Sequence, residues 1–194
     1  MTTVQGVPLR VVRSRRAPSG RTGAVSARAI TLRTGTPADA GAIHGLILDH
    51  LQEGHLLPRE LDEIVNRATR FVVAVHKGEV VACGELAQLS SSVAEIRSLV
   101  VSRSMRSVGL SRRLVNELIQ RATVAGFYRL CAFTHSPAYF VHLGFSIVPH
   151  TWLPEKIVTD CHSCVHFRQC GQYAVMHDLA RQRDACVPLA ALHG

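Results

Sequence analysis

Glu95-Ile96-Arg97-Ser98-Leu99-Val100-Val101-Ser102-Arg103-Ser104-Met105-Arg106-Ser107-Val108-Gly109-Leu110-Ser111-Arg112-Arg113 changes character twice along its length. Residues 96–101 are an apolar, β-branched run of strand character, residues 102–108 form a tight basic loop, and a helical period begins at Gly109. A strand feeding a loop that ends at a helix N-terminus is an anion-binding arrangement. The first-turn N–H groups lack an intrahelical partner, and the helix dipole favours negative charge there. Arg103, Arg106, Arg112 and Arg113 surround that point, and Gly109 lets backbone approach a ligand closely. A pyrophosphate is the expected occupant; the plain alternative is an ordinary strand–helix loop with solvated arginines.

Working outward, residues 93–101 read as the third strand of a meander. Residues 71–75 form an apolar strand, Lys77-Gly78 turns it into a second strand reaching about Leu89, and Ser90-Ser91-Ser92 turns the chain again. Upstream lie a short strand at 30–33 and a helix capped by Thr36, with Pro37 at its first position and Asp39 in its first turn. Its stripe is Ala40, Ile43, Ile47, Leu48 and Leu51, and Gly54 ends it. A second helix after Pro58 carries Leu61, Ile64, Val65 and Ala68 on one face.

Downstream, the helix from Gly109 presents Leu110, Leu114, Val115, Leu118, Ile119 and Ala122, and stops at Gly126. Residues 129–133 then form a strand parallel to the one before that helix, a right-handed βαβ unit. A short helix at 137–143, a strand at 146–148, a cysteine-rich segment and a last strand at 173–177 follow. The expected fold is α/β, in the α+β mixed-sheet sense: a mostly antiparallel meander plus a central βαβ unit, with helices on both faces.

Of the 194 residues, 47% are apolar and 19% charged, an ordinary globular balance that excludes global disorder. No apolar run approaches the roughly 18 residues needed to cross a bilayer. The net charge of +8 is mostly a tail property. Residues 1–29 hold six arginines and no acid, leaving 16 basic against 14 acidic residues elsewhere. A nucleic-acid partner would therefore rest on the tail alone, and is not expected. The tail is read as a disordered basic leader, or alternatively as an organelle transit peptide, ahead of one domain at 30–179 and a C-terminal tail at 180–194. Without a secretory apolar segment, a cytoplasmic protein with its six cysteines mainly reduced is expected. Homo-oligomerisation is left open.

The order of elements, the Arg106-Ser107-Val108-Gly109-Leu110-Ser111 loop and the later Leu143-Gly144-Phe145 resemble the GNAT N-acetyltransferase superfamily. The resemblance implies that residues 106–111 bind the pyrophosphate of acetyl-CoA, with Ser111 where Gly or Ala is usual. It implies too that backbone groups of Leu99, Val100 and Val101 pair with the pantetheine arm. Further segments are similar to the acetyltransferase domain of the N-acetylglutamate synthase family. These are residues 54–59 (GHLLPR), 81–86, 94–99, 139–145 and Leu153-Pro154-Glu155-Lys156. That likeness implies acetylation of the α-amine of L-glutamate, the first step of arginine biosynthesis. Longer synthases carry an amino-acid-kinase-like domain through which arginine inhibits; with only residues 1–29 ahead of the domain, that route is not expected here.

Three chemical tasks follow. A base must take a proton from the substrate ammonium, because only the neutral amine attacks a thioester. Glu95 resembles the family's catalytic glutamate; its alternative is a surface glutamate paired with an arginine, and Glu85 is the reserve. A half-buried strand position would raise its pKa toward neutrality. An acid can protonate the leaving thiolate. Phe140 stands where many members have tyrosine, so Tyr139 and Thr134 become the candidates. Cations must fix the substrate carboxylates: Arg59 matches the family's glutamate-binding arginine, Arg97 shares a strand face with Glu95, and Lys156 is a third candidate. For each, the alternative is a solvated surface charge.

Finally, Cys161 and Cys164 have zinc-ligand spacing, which Cys170, His162 or His166 could complete as a structural zinc site. Reduced buried thiols or a redox disulfide are the other readings. Two further function classes stay open: acetylation of another amino acid or small amine, and a non-catalytic acyl-CoA-binding regulator.

Overall fold

A computed structural model describes residues 30–179 except 52, 54, 55 and 165. The two tails, Cys186 and the helix stop assigned to Gly54 lie outside the described residues. The chain runs β1 (Ile30–Thr34), α1 (Ala40–Leu51), α2 (Leu61–Arg67), β2 (Phe71–His76), β3 (Glu79–Gln88), β4 (Val93–Val101), α3 (Leu110–Val124), β5 (Arg129–Thr134), α4 (Pro137–Val141), β6 (Ser146–Val148), α5 (Pro154–Thr159) and β7 (Tyr173–Asp178). One seven-stranded sheet has the order β1-β2-β3-β4-β5-β7-β6. Only the β4–β5 pair is parallel, as the βαβ reading requires.

Helices cover both faces. On one face α3 lays Leu110, Leu114, Val115, Leu118 and Ala122 on Val72, Ala82, Ala94, Ile96 and Leu130, and α4 adds Phe140. On the other, α1 packs Ile43, Leu46 and Ile47 with Ile64 of α2 against Phe71, Val73, Cys83 and Val100. A separate apolar group, Val93, Cys131, Leu153 and Met176, occupies the far end of that second face. Leu48, Leu61 and Val65, expected on inner stripes, are exposed, and Leu46 packs into the core on that face instead.

Thr36 does begin the α1 region, through a 3-10 turn at Pro37–Asp39. Asp39 takes the Thr36 N–H (2.8 Å) and hydroxyl (2.7 Å), and accepts two bonds from the Arg33 guanidinium at 2.7 Å each. The Arg33 bonds, aided by Thr36, hold the Asp39 carboxyl far below the usual carboxylate range despite its burial. A depressed folded-state pKa stabilises the fold above pH ~4 and loses that contribution as pH falls toward the folded value. Asp39→Ala is therefore expected to cost about 1–2 kcal/mol at neutral pH. It should also flatten the acid side of a stability–pH curve, measured by urea unfolding between pH 3 and pH 7.

Two irregularities in β4 create the site. First, Ser98 has φ of +48°, and the register with β3 slips between Cys83 and Glu85, a one-residue bulge. Strict alternation would keep Glu95, Arg97, Leu99 and Val101 on one face. The bulge instead leaves Glu95 and Arg97 on the α1/α2 side and turns Leu99 and Val101 toward α3. Gly84 sits opposite, where a Cβ would come within 3.0 Å of Leu118 Cδ1 and 3.2 Å of Leu99 Cδ1. Second, β4 pairs with β5 only from Val93↔Arg129 to Ile96↔Ala132. Beyond that point the strands part, and the β5-facing edge of β4 up to Val101 has no strand partner.

Candidate active site

That parting opens a cavity of about 1160 Å³. Its walls include Arg59, residues 95–101, Arg106, Ser107, residues 109–112, Thr134, Tyr139 and Lys156. Thus the proposed base, the anion loop and all three substrate cations face one space. Val108 does not line it and packs on the core beneath α3 instead. Gly109 caps α3 in the left-handed region (φ +76°), and Ser107 also has positive φ (+67°). The loop backbone therefore curls at the helix start, with first-turn N–H groups facing an anion position.

Of the four arginines around the loop, only Arg106 and Arg112 reach the cavity. Arg113 turns away to donate to the Ile30 carbonyl at 2.9 Å, and Arg103 lies outside the wall. Glu53 accepts from Arg106 at 2.8 and 2.9 Å and from Arg103 at 3.3 Å. A carboxylate thus occupies the arginine expected to serve a phosphate. This pair is exposed and screened by salt, so a multivalent phosphate would displace it readily.

Glu95 is only 3% exposed, not half-buried. Its two oxygens accept from Arg97 Nε (2.5 Å) and from Lys156 Nζ (2.7 and 2.8 Å). Lys156, expected as a solvated charge in its plain reading, is drawn inward and also sits 5.2 Å over the Phe133 ring. Arg97 and Lys156 both continue to Asp160, the latter at 2.9 Å. Asp160 keeps a lowered pKa: burial pushes it up, and Lys156 and Arg97 outweigh that. The sequence reading passed over Asp160. The Lys156–Asp160 spacing of four residues on a helical segment was the available signal.

Arg59 is likewise enclosed. Its Nε and Nη2 bind Glu63 at 2.8 and 3.0 Å, while Nη1 binds Glu85 Oε2 at 2.9 Å and Ser98 Oγ at 3.2 Å. Glu85 is fully buried, and its other oxygen has no hydrogen-bond partner. These charges fill the gap between the two apolar groups on the α1/α2 face. Buried charges are tolerated there because each is paired.

Tyr139 also lines the cavity, its hydroxyl buried beside Ser111; burial pushes its pKa up, and the approach of the Ser111 hydroxyl partly offsets that. It therefore stays protonated and able to donate. Thr134 accepts the Ser136 N–H at 3.0 Å and lines the cavity too. Phe140 is buried in the core, consistent with its having no chemical role.

The zinc expectation is corrected. Cys161 lies in one 3-10 turn (Cys161–Ser163) and Cys170 follows another (Phe167–Gln169). Among the described residues no three His, Cys, Asp or Glu side chains gather closely enough to hold a metal ion. The described cysteines are free thiols. Burial pushes the Cys83 thiol up to about 12 and the Cys131 thiol higher still. Iodoacetamide at pH 8 is accordingly expected to label Cys164 and Cys170 in the native protein, and Cys83 and Cys131 only after unfolding. Mass mapping of labelled peptides checks this.

Comparison with known proteins agrees with this fold. The family described as Acetyltransferase (GNAT) family matches residues 40–145. An uncharacterized N-acetyltransferase of Chlorobaculum tepidum is 30% identical over 148 residues, 76% of this chain and 96% of that one. The amino-acid acetyltransferase of Mycobacterium tuberculosis is 30% identical over 129 residues, 65% of this chain and 74% of that one. Among solved structures, N-acetylglutamate synthase from Neisseria gonorrhoeae, complexed with coenzyme A and N-acetyl-glutamate, superposes with a TM-score of 0.71 at 25% identity. That match covers 78% of this chain, which spans about a third (35%) of the synthase.

Proposed function

Because the chain belongs to the acetyltransferase (GNAT) family and is an N-acetyltransferase, we propose that it moves the acetyl group of acetyl-CoA to the α-amine of an amino acid, L-glutamate first. In a cell this would be the entry step of arginine biosynthesis, carried out in the cytoplasm. The observation that carries the reading is the shared cavity: a curled anion loop at one end and a buried carboxylate ringed by cations at the other.

In this reading the CoA pyrophosphate lies on residues 106–111, exchanging Glu53 for phosphate at Arg106, with Arg112 alongside. The pantetheine arm runs along the unpaired edge at Leu99, Val100 and Val101, as an added strand. Glu95, directly or through a water, removes a proton from the substrate ammonium. The neutral amine attacks the thioester carbonyl and a C–N bond forms; as the C–S bond breaks, the nitrogen gives up its second proton to solvent, from which the donor to the thiolate is reprotonated. Backbone N–H groups at the strand parting stabilise the developing oxyanion. Tyr139, its hydroxyl protonated and buried beside Ser111, gives a proton to the thiolate, with Thr134 as the alternative donor. Arg59, Arg97 and Lys156 hold the carboxylates.

One observation favours a second reading. Arg59, Arg97 and Lys156 already have carboxylate partners, so an amino acid with a single carboxylate would disturb fewer ion pairs than a dicarboxylate. The test supplies purified protein with acetyl-CoA and each proteinogenic amino acid, and measures thiol release. Selective release with glutamate supports the first reading, and preference for a monocarboxylic amino acid supports the second. Coenzyme A binding with no release for any amine sinks both.

A further inference from the structure

Four side chains on one side of β4 close a ring of alternating charge. Glu95 accepts from Arg97 and Lys156, and each of those cations also binds Asp160. Asp160 caps the C-terminal end of α5, while Glu95 and Arg97 lie on β4. The ring is largely closed to solvent, with side-chain exposures of 4% for Glu95, 19% for Arg97, 14% for Lys156 and 34% for Asp160.

Arg97 and Lys156 thus aim two positive charges at one buried carboxylate. The ring contains a second carboxylate that shares those cations. We propose that Asp160 is a positioning residue for the base: it divides the charge of Arg97 and Lys156, so that neither cation is committed to Glu95 alone. All four members of the ring line the cavity. This rests on the reading of Glu95 as the base.

The remaining charged and titratable groups around Glu95 do not substitute for Asp160. Cys131 lies across from it on β5 and is a thiol pushed far up by burial. Glu85 on β3 stands opposite Arg97 but is bound to Arg59, which Glu63 of α2 also holds. Glu155 of α5 acts on Cys131 from further away. Among the described residues, Asp160 is the one group besides Glu95 that touches both Arg97 and Lys156.

The experiment records kcat/KM against pH for the parent, Asp160→Asn, Asp160→Glu and Glu95→Gln, using acetyl-CoA and the best amine. Removing the Asp160 charge leaves both cations on Glu95, so the acid limb should move to lower pH by about one unit. The plateau should fall about tenfold through the weaker base. The KM for acetyl-CoA, bound at the other end of the cavity, should not change. Asp160→Glu restores the limb by restoring the charge. If Asp160→Asn does not fold, the double variant Lys156→Met/Asp160→Asn removes one charge of each sign and should return the limb to the parent position. An unmoved limb in Asp160→Asn, or a lowered limb in the double variant, overturns this inference while an inactive Glu95→Gln leaves the base assignment standing. A Glu95→Gln variant with parental activity overturns both.

Discussion

Glu95→Gln is expected to lower kcat by about 10²–10⁴-fold while leaving the KM for acetyl-CoA unchanged. The amide matches the carboxylate in shape but cannot take a proton at neutral pH. The change sits where β4 and β5 begin to part, away from the loop at 106–111. Lys156 and Arg97 would then face Asp160 as their remaining anion, so a modest loss of stability accompanies the loss of rate. Thermal melting separates the two effects: a variant that is folded at assay temperature yet inactive isolates the chemistry. Retention of more than about a tenth of the parental kcat would remove Glu95 from the role of base. Glu85, the reserve, would become the next residue to test.

Arg59→Ala should have the largest effect on stability. Glu85 is fully buried and Arg59 is its ion-pair partner, so truncation leaves a carboxylate in an apolar setting between β2 and β4. Breaking a buried pair in this way costs about 3–5 kcal/mol. For a chain of this size that lowers Tm by roughly 6–20 °C, measurable by calorimetry. Glu63 is affected less, because Arg67 still reaches it at 2.6 Å. Arg59→Met/Glu85→Leu removes both charges and should recover most of the loss. The double variant also isolates the substrate role: it should remain stable yet show a raised KM for glutamate. A parental KM there would assign Arg59 to structure alone, and unchanged melting of Arg59→Ala would show that Glu85 does not depend on it.

Some elements were readable because local chemistry dictates them. Residues 93–101 form a strand with the expected limits, since a β-branched run bounded by serines has few alternatives. Lys77-Gly78 closes the β2–β3 hairpin with both residues at positive φ. Thr36, Pro37 and Asp39 begin the α1 region as their capping chemistry implies. The bulge at Ser98 was not legible, because Arg97-Ser98-Leu99 carries no glycine, and a lone serine between strand residues is no bulge signal. Its cause is tertiary: the register β4 shares with β3, and the close approach of Leu118 and Leu99 over Gly84.

The site divides the same way. Glu95, the anion loop and Arg59 could be picked out because each lies in a motif whose residues are neighbours in the chain. Lys156 reaches Glu95 from 61 residues away, and Arg97 reaches Asp160 across 63. No local pattern encodes such a meeting. The cysteine spacing suggested a metal, but spacing sets only what a turn could bring together, and two separate 3-10 turns keep the thiols from forming one site. By itself, then, the sequence determined the order of elements, the βαβ unit and the strand–loop–helix turn ahead of α3, because hydrophobic period, capping and turn chemistry act over a few residues. Which buried charges neutralise one another was decided only when the sheet brought β4 against α5 and the 56–63 segment. Desolvated charges must find partners in space, wherever those lie along the chain.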